Sequence, residues 1–333
     1  MTDARDKRDC AVDVVTFGES MVLFTPMQET PLAYASLYIK SVAGAEGNFG
    51  VGLARLGKKV RWISRLGTDP FGDFVQSTLA GEGLDVSRVI RDETHPTAVF
   101  FKENKSAGDP RVFYYRKHSA ASRLHPDDVR EDWFSDARHL HVTGITPALG
   151  EHTGEMVIAA MKMAKAQGLT VSFDPNIRFK LWDEATARST LLAMLPLCDI
   201  FLPGIEEAEF LIGEKPVEQY GRAFLEMGPK VVALKLGAEG SIGFARGFAA
   251  KAAGFPVPRI VDTVGAGDAF AAGFMSVILD TEIGRLTEET LTAALTRGNL
   301  LGSMATQFRG DWEGLPTLAE VERRLAGGKD RTR

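Results

Sequence analysis

The segment VDTVGAGDAF, residues 261–270, sets Asp268 directly behind a Gly-Ala-Gly turn and ahead of a run of small and apolar residues. Gly265 and Gly267 let the backbone bend with its N–H groups pointing outward, and DAFAAGFMSVIL then supplies helix formers with an apolar stripe. Amides at a helix start, with the macrodipole behind them, favour negative charge. Two roles fit a carboxylate there. It caps the helix, or the turn holds a transferring phosphoryl group while Asp268 takes the proton of an attacking hydroxyl. Phosphoryl transfer needs that pairing, because its catalysis is mostly positioning and charge stabilisation. Spacing alone leaves both open.

A second set of candidates lies in RVFYYRKHSAAS (111–122) and FDPNIRFKLW (173–182). Alternation along a strand puts Tyr114 and Arg116 on one face. Asn176 and Arg178 follow the carboxyl end of a strand, where ligands of open α/β sheets bind. Two arginines beside a neutral sugar have no task, whereas guanidinium matches carboxylate in a bidentate fork.

Other patterns carry less. GLARLGKK (52–59) fits GxxxxGK, but Lys59 stands where a P-loop needs Ser or Thr, and the segment reads as a helix ending at Gly57 before a strand. GAGDAFAAG fails the dinucleotide fingerprint, with Phe270 at the third glycine position. His139 and His141 alternate on a strand without acidic or cysteine partners at metal-site spacing and read as structural. The acidic run EEAE (206–209) reads as a helix start.

The elements that must position these residues alternate. Strands are predicted at 12–18, 60–67, 138–145, 169–175, 199–204 and 230–237, most of them nearly continuous in apolar character, as strands covered on both faces should be. Helices are predicted at 151–168, 183–195 and 216–228. That succession argues for βαβ units and a parallel, helix-covered sheet. Segments 21–44 and 95–118 break the rhythm: aromatic and β-branched runs flank the turn NKSAGDP, which reads as a small inserted antiparallel sheet. Residues 1–11 and 326–333 read as flexible tails.

Composition bounds the function. The 333 residues carry a net charge of −5, so no bulk basic field recruits nucleic acid or anionic membrane. No run of about 18 apolar residues suggests a transmembrane helix. Only Cys10 and Cys198 are present, far apart, and the charged start lacks a signal peptide's apolar core, which points to the cytoplasm.

DTVGAGDAFAAGF (262–274) resembles the C-terminal signature of the ribokinase-like sugar kinases, the PfkB family, and AGAEGNFGVGLARLG (43–57), with Gly44 and Asn48, is similar to the family's substrate-side segment. The resemblance covers residues 12–325. It implies a doubly wound, mostly parallel α/β sheet with helices on both faces and a small β-lid. It makes Asp268 the general base and gives Gly265, Ala266 and Gly267 as backbone donors to the γ-phosphate of ATP. KLGAEG (235–240) matches the nucleotide-side loop, so Lys235, Gly237 and Gly240 are expected near ATP, and Glu207 near the water shell of Mg²⁺. Gly204 stands where the family usually has asparagine.

Within the family, YYRKHSAAS, HLHVTGITPAL, DPNIR and RGDWEG are similar to the 2-keto-3-deoxygluconate kinases. That likeness implies phosphorylation of the sugar acid's terminal hydroxyl. It assigns Gly44, Asn48, Tyr114, Arg116 and Arg178 to the substrate, with Asp311 as a further contact; Phe100 replaces a frequent tyrosine. It also suggests a homodimer or a multiple of one, and raises a monovalent cation near Asp262. The rival readings are a kinase for fructose or a related sugar acid, and a non-catalytic sugar-acid sensor.

Overall fold

The structure is a computed structural model that describes residues 10–103 and 111–327. Its main sheet has eight strands in the order Phe248–Ala253, Gly240–Ala245, Val231–Lys235, Ile200–Phe201, Thr170–Asp174, Ala137–Thr143, Val12–Phe17 and Val60–Ile63. The first two form an antiparallel hairpin at one edge, and all the others run parallel. Val14, Val15 and Phe17 are fully buried, as a nearly continuous apolar run requires of a strand covered on both faces.

Helices Ala45–Arg55, Ala266–Ile278 and Glu288–Ala305 cover one face, closing a core around Phe49, Trp62, Phe274 and Leu295. Thr153–Ala166, Glu184–Met194 and Val217–Glu226 cover the other around Phe17, Trp133, Met161 and Phe224. Gly57, at φ +82°, ends the Ala45–Arg55 helix ahead of the Val60–Ile63 strand, so GLARLGKK is a helix terminus and not a phosphate loop.

A second sheet has the order Tyr38–Ala43, Met21–Pro26, Val99–Glu103, Arg111–Tyr115. It is mixed, not antiparallel as the sequence suggested: Met21–Pro26 and Val99–Glu103 run parallel, a pairing made possible by the long crossover through the main domain between them. The predicted turn at 104–110 lies outside the described residues, as do most of the predicted tails. The predicted strand at 60–67 is broken at Ser64, and Arg65–Gly67 pairs with Ile90–Asp92 instead. Among the described residues no helix is long and apolar enough to cross a membrane.

Candidate active site

Asp268 sits in the first turn of the Ala266–Ile278 helix and is buried. Its carboxylate does not cap that helix. Asn48 Nδ2 donates to one oxygen at 2.8 Å and Asn176 Nδ2 to the other at 3.1 Å. Burial pushes the Asp268 pKa up to about 7 against the help of the Asn48 hydrogen bond, with the charge of Asp174 adding to the rise. A carboxylate with its pKa near neutrality, held by two donors at a helix start, suits a general base. Gly265 adopts φ +80°, and a Cβ there would lie 2.0 Å from the Asp311 carbonyl oxygen. The Gly-Ala-Gly turn therefore has room only for glycine at its first position.

Both asparagines are placed by local structure. The Tyr38–Ala43 strand runs through Gly44 into the Ala45–Arg55 helix, and the Gly44 N–H donates to Asn48 Oδ1 at 3.4 Å. A Cβ on Gly44 would come within 2.3 Å of the Glu19 carbonyl oxygen. Asn176 is one of two non-glycine residues with positive φ among those described, at +37°. Asp174 accepts the Asn176 N–H at 3.2 Å and Glu207 accepts the Ile177 N–H at 2.9 Å, so the turn is held from two sides while its carboxamide faces Asp268.

Glu207 spends its other oxygen on the Gly204 N–H at 2.7 Å. It is thus a brace between the 174–177 turn and the Ile205–Ile212 helix. Gly204 has an ordinary φ of −77°, and an added Cβ would meet nothing nearer than Glu207 at 3.4 Å, so backbone geometry does not demand glycine in place of asparagine. Among the described residues no group of three or more His, Cys, Asp or Glu side chains could hold a metal ion alone. A magnesium ion here would have to be carried in on nucleotide phosphates, since Glu207 is engaged through both oxygens by the Ile177 and Gly204 N–H groups.

Lys235 ends the Val231–Lys235 strand and donates to Asp174 at 2.8 Å. Its ammonium lies 3.8 Å from where a Cβ on Gly267 would be, beside the Gly-Ala-Gly turn. Burial opposes its charge, but Asp174, Glu207 and Asp268 outweigh it and raise its pKa. The loop's two glycines do different work: Gly237 is exposed with open space around it, whereas a Cβ on Gly240 would strike the Ala252 carbonyl at 2.2 Å. Gly240 serves the edge hairpin.

Tyr114, Arg116, Lys117, Arg178 and Lys180 line one cleft of about 710 Å³, with Val112, Leu149 and Ile177 among the rest of its wall. Four cations and no carboxylate face it among the described residues. Arg178 on its wall is near enough for its charge to act on Asp268. Tyr114 stacks on the buried Phe100 ring at 5.3 Å, and the Arg116 guanidinium lies over Tyr114 at 5.4 Å. Arg116 is not the free fork that the sequence suggests: its Nε and Nη2 both meet Glu19 Oε2 at 2.7 Å, and Ser119 donates to the other oxygen. Arg178 is exposed and free to reach a ligand, its recorded bond being to the Ile177 carbonyl.

The chain matches the pfkB family carbohydrate kinases over residues 11–318. It belongs to that family. A 2-dehydro-3-deoxygluconokinase of Bacillus subtilis (strain 168) is 45% identical over 315 residues, covering 93% of this chain and 94% of that protein. An E. coli structure described as a ribokinase II in complex with ATP and Mg²⁺ superposes with TM-score 0.85 at 29% identity, over 95% of this chain and 99% of that one. A Vibrio cholerae fructokinase double mutant, in fructose, ADP and potassium ion bound form, gives 0.83 at 28% identity, over 94% and 98%.

In this pfkB kinase the doubly wound sheet with a smaller sheet beside it is as the sequence implied. The site brings together Gly44, Asn48, Asn176, Lys235 and Asp268, and Asp311 adjoins Asn48. Glu19, Asp174 and Lys102 were not singled out from sequence. Glu19 follows Gly18 at the end of the first strand, a strand-end position like that of Asn176, and this was the signal available for it. His139 and His141 share the Ser172 hydroxyl, and His141 stacks on Phe49 at 3.7 Å; burial holds the His141 pKa well below its usual value, the state of a core histidine.

Proposed function

We propose that the protein phosphorylates the terminal hydroxyl of 2-keto-3-deoxygluconate with ATP, giving the 6-phospho sugar acid. The observation that carries this is a cleft walled by Tyr114, Lys117, Arg178, Lys180 and the Glu19-paired Arg116, whose Arg178 charge reaches the buried Asp268, in a chain of net charge −5. A neutral sugar has no use for that charge. The likeness to the B. subtilis 2-dehydro-3-deoxygluconokinase supports the same substrate.

In the reaction, the sugar carboxylate lies against Arg178 and the uncommitted edge of Arg116, with the sugar over Tyr114. Asn48 and Asn176 hold Asp268 so that one oxygen takes the proton of the terminal hydroxyl as it attacks phosphorus. The amides of Gly265, Ala266 and Gly267 and the Lys235 ammonium receive the charge on the phosphoryl oxygens. Bound magnesium would supply further neutralisation of the phosphates, with Glu207 at its water shell. The small sheet acts as a lid that excludes water when the sugar is bound.

A monovalent cation at Asp262 would compete with the Lys102 ammonium already paired there. Exposed Tyr34, Leu37, Phe113 and Tyr115 on and beside the lid favour a homodimer or a multiple of one, and two free cysteines suit the cytoplasm. ATP turnover measured by coupled ADP detection across 2-keto-3-deoxygluconate, its galactonate epimer, gluconate, fructose and ribose tests the assignment. The keto-deoxy acid is expected to give the highest kcat/KM. A preference for fructose would make the protein a fructokinase, and no turnover on any sugar would make it a sensor.

A further inference from the structure

Lys102 lies on the Val99–Glu103 strand of the small sheet, two residues from Phe100 and so on the same face. Its ammonium pairs with Asp262, and both side chains are nearly sealed from solvent, at 4% and 9% exposure. The other Asp262 oxygen accepts the Val264 N–H at 3.2 Å. One carboxylate therefore shapes the start of the turn and takes the lid's cation, three residues ahead of Gly265. The Lys102 charge also acts on Asp311, whose backbone carbonyl abuts Gly265 and whose Oδ1 is buried without a hydrogen-bond partner. Asp311 thus feels the lid's Lys102 ammonium against the charges of Glu313 and Asp262.

We propose that Lys102 is a positioning residue for phosphoryl transfer: its ion pair with Asp262 docks the lid sheet onto the 261–265 loop and thereby holds the 265–267 amides in the orientation that the transferring group needs. The inference rests on the phosphotransfer reading above. A buried ion pair is weak evidence for stability, because a well-packed apolar pair often does as well; its better-attested use is to fix one registry. Here the registry is that of a lid against a catalytic turn. The neighbouring lid residues Phe100 and Phe101 pack without direction, whereas the ammonium meets one carboxylate at one place.

The test compares Lys102→Met, Lys102→Arg and the double variant Lys102→Met with Asp262→Asn. The single Met variant leaves a buried carboxylate unpaired and can fail to fold. The double variant removes both charges and keeps an acceptor oxygen for the Val264 N–H. Its expected behaviour is a Tm within a few degrees of the parent, a kcat lowered about tenfold or more, and a sugar KM changed less than about threefold. Lys102→Arg is expected to recover most of the loss. A folded double variant with parental kcat overturns the proposal, and so does a double variant that loses the fold, which would make the pair purely structural. Failure of the functional reading shows separately, in the parent enzyme's own substrate panel.

Discussion

The Asp268 carboxylate is held by two carboxamides that start from distant parts of the chain, Asn48 and Asn176. Replacing the carboxylate with a carboxamide removes the proton acceptor while preserving shape, so Asp268→Asn is expected to lower kcat by about 10²–10⁴, the range of a positioned general base. Turnover near the parent value would refute the role. Because burial lifts this pKa to about 7, the carboxylate is protonated in mild acid. The rate at saturating substrate is therefore expected to rise with pH through about 7 and then level, and a flat profile across that range would rule Asp268 out. Arg178 has no carboxylate partner among its recorded contacts, whereas Arg116 is held by Glu19. Arg178→Ala should raise the sugar-acid KM by about tenfold or more, from a charged hydrogen bond of about 1.5–3 kcal/mol, and leave the ATP KM unchanged. Equal rises in both constants would remove it from the sugar side. The candidate residues themselves were legible as types at spacings. That Asn48 and Asn176 grip Asp268 was not, because it requires two turns to meet in space.

The turn at 265–267 separates what the backbone demands from what the ligand demands. Gly265 has φ +80° and faces the Asp311 carbonyl, so Gly265→Ala is both strained and obstructed. Gly267 lies inside the helix with only the Lys235 ammonium within 4 Å of an added methyl, at 3.8 Å. Gly265→Ala is expected to lower Tm and activity together. Gly267→Ala should keep the parent Tm, or exceed it, while losing about tenfold or more in kcat/KM for ATP as the methyl intrudes on the phosphoryl pocket. Thermal melts beside ATP kinetics decide it: two variants with the same profile would deny the division. Elements were readable where one period dominated. The strands at 12–17, 137–143 and 170–174 and the helices at 153–166, 184–194 and 217–226 follow the predicted segments closely, whereas the strand predicted at 199–204 is reduced to Ile200–Phe201. The parallel pairing in the small sheet was hidden because it joins strands more than 70 residues apart, and local turn chemistry reports only on neighbours.

Over the whole molecule the site is a concentration of carboxylates that burial makes reluctant to ionise. Asp268 is raised to about 7 and Asp311 to about 6, both chiefly by desolvation. A carboxyl whose pKa is higher in the folded state than in the unfolded chain binds more protons when folded. Its stabilising contribution is complete below the unfolded value near 4 and is lost as pH rises through the folded value. Carboxylates held low by partners, such as Asp136 on Arg61 and Asp85, which Ser87 and Arg61 hold down against burial, act oppositely, but their contribution fades only in stronger acid. Buried His141, kept neutral, opposes the site acids nearer home: its contribution is present above its unfolded pKa near 6.5 and is lost as pH falls below it. The net Tm of the unliganded protein therefore mixes two signs between about pH 5 and 8, and the variant difference isolates one. Asp268→Asn cannot ionise, so its Tm relative to the parent should climb by several degrees from about pH 5 to about pH 8, reflecting a few kcal/mol, while the weaker hydrogen bonding of a third carboxamide shifts the difference equally at every pH. His141 and every distant carboxylate cancel from that difference. A gap that stays constant with pH would mean that Asp268 carries its charge without cost in the empty site, and the basis for its role as a base tuned near neutrality would fall with it.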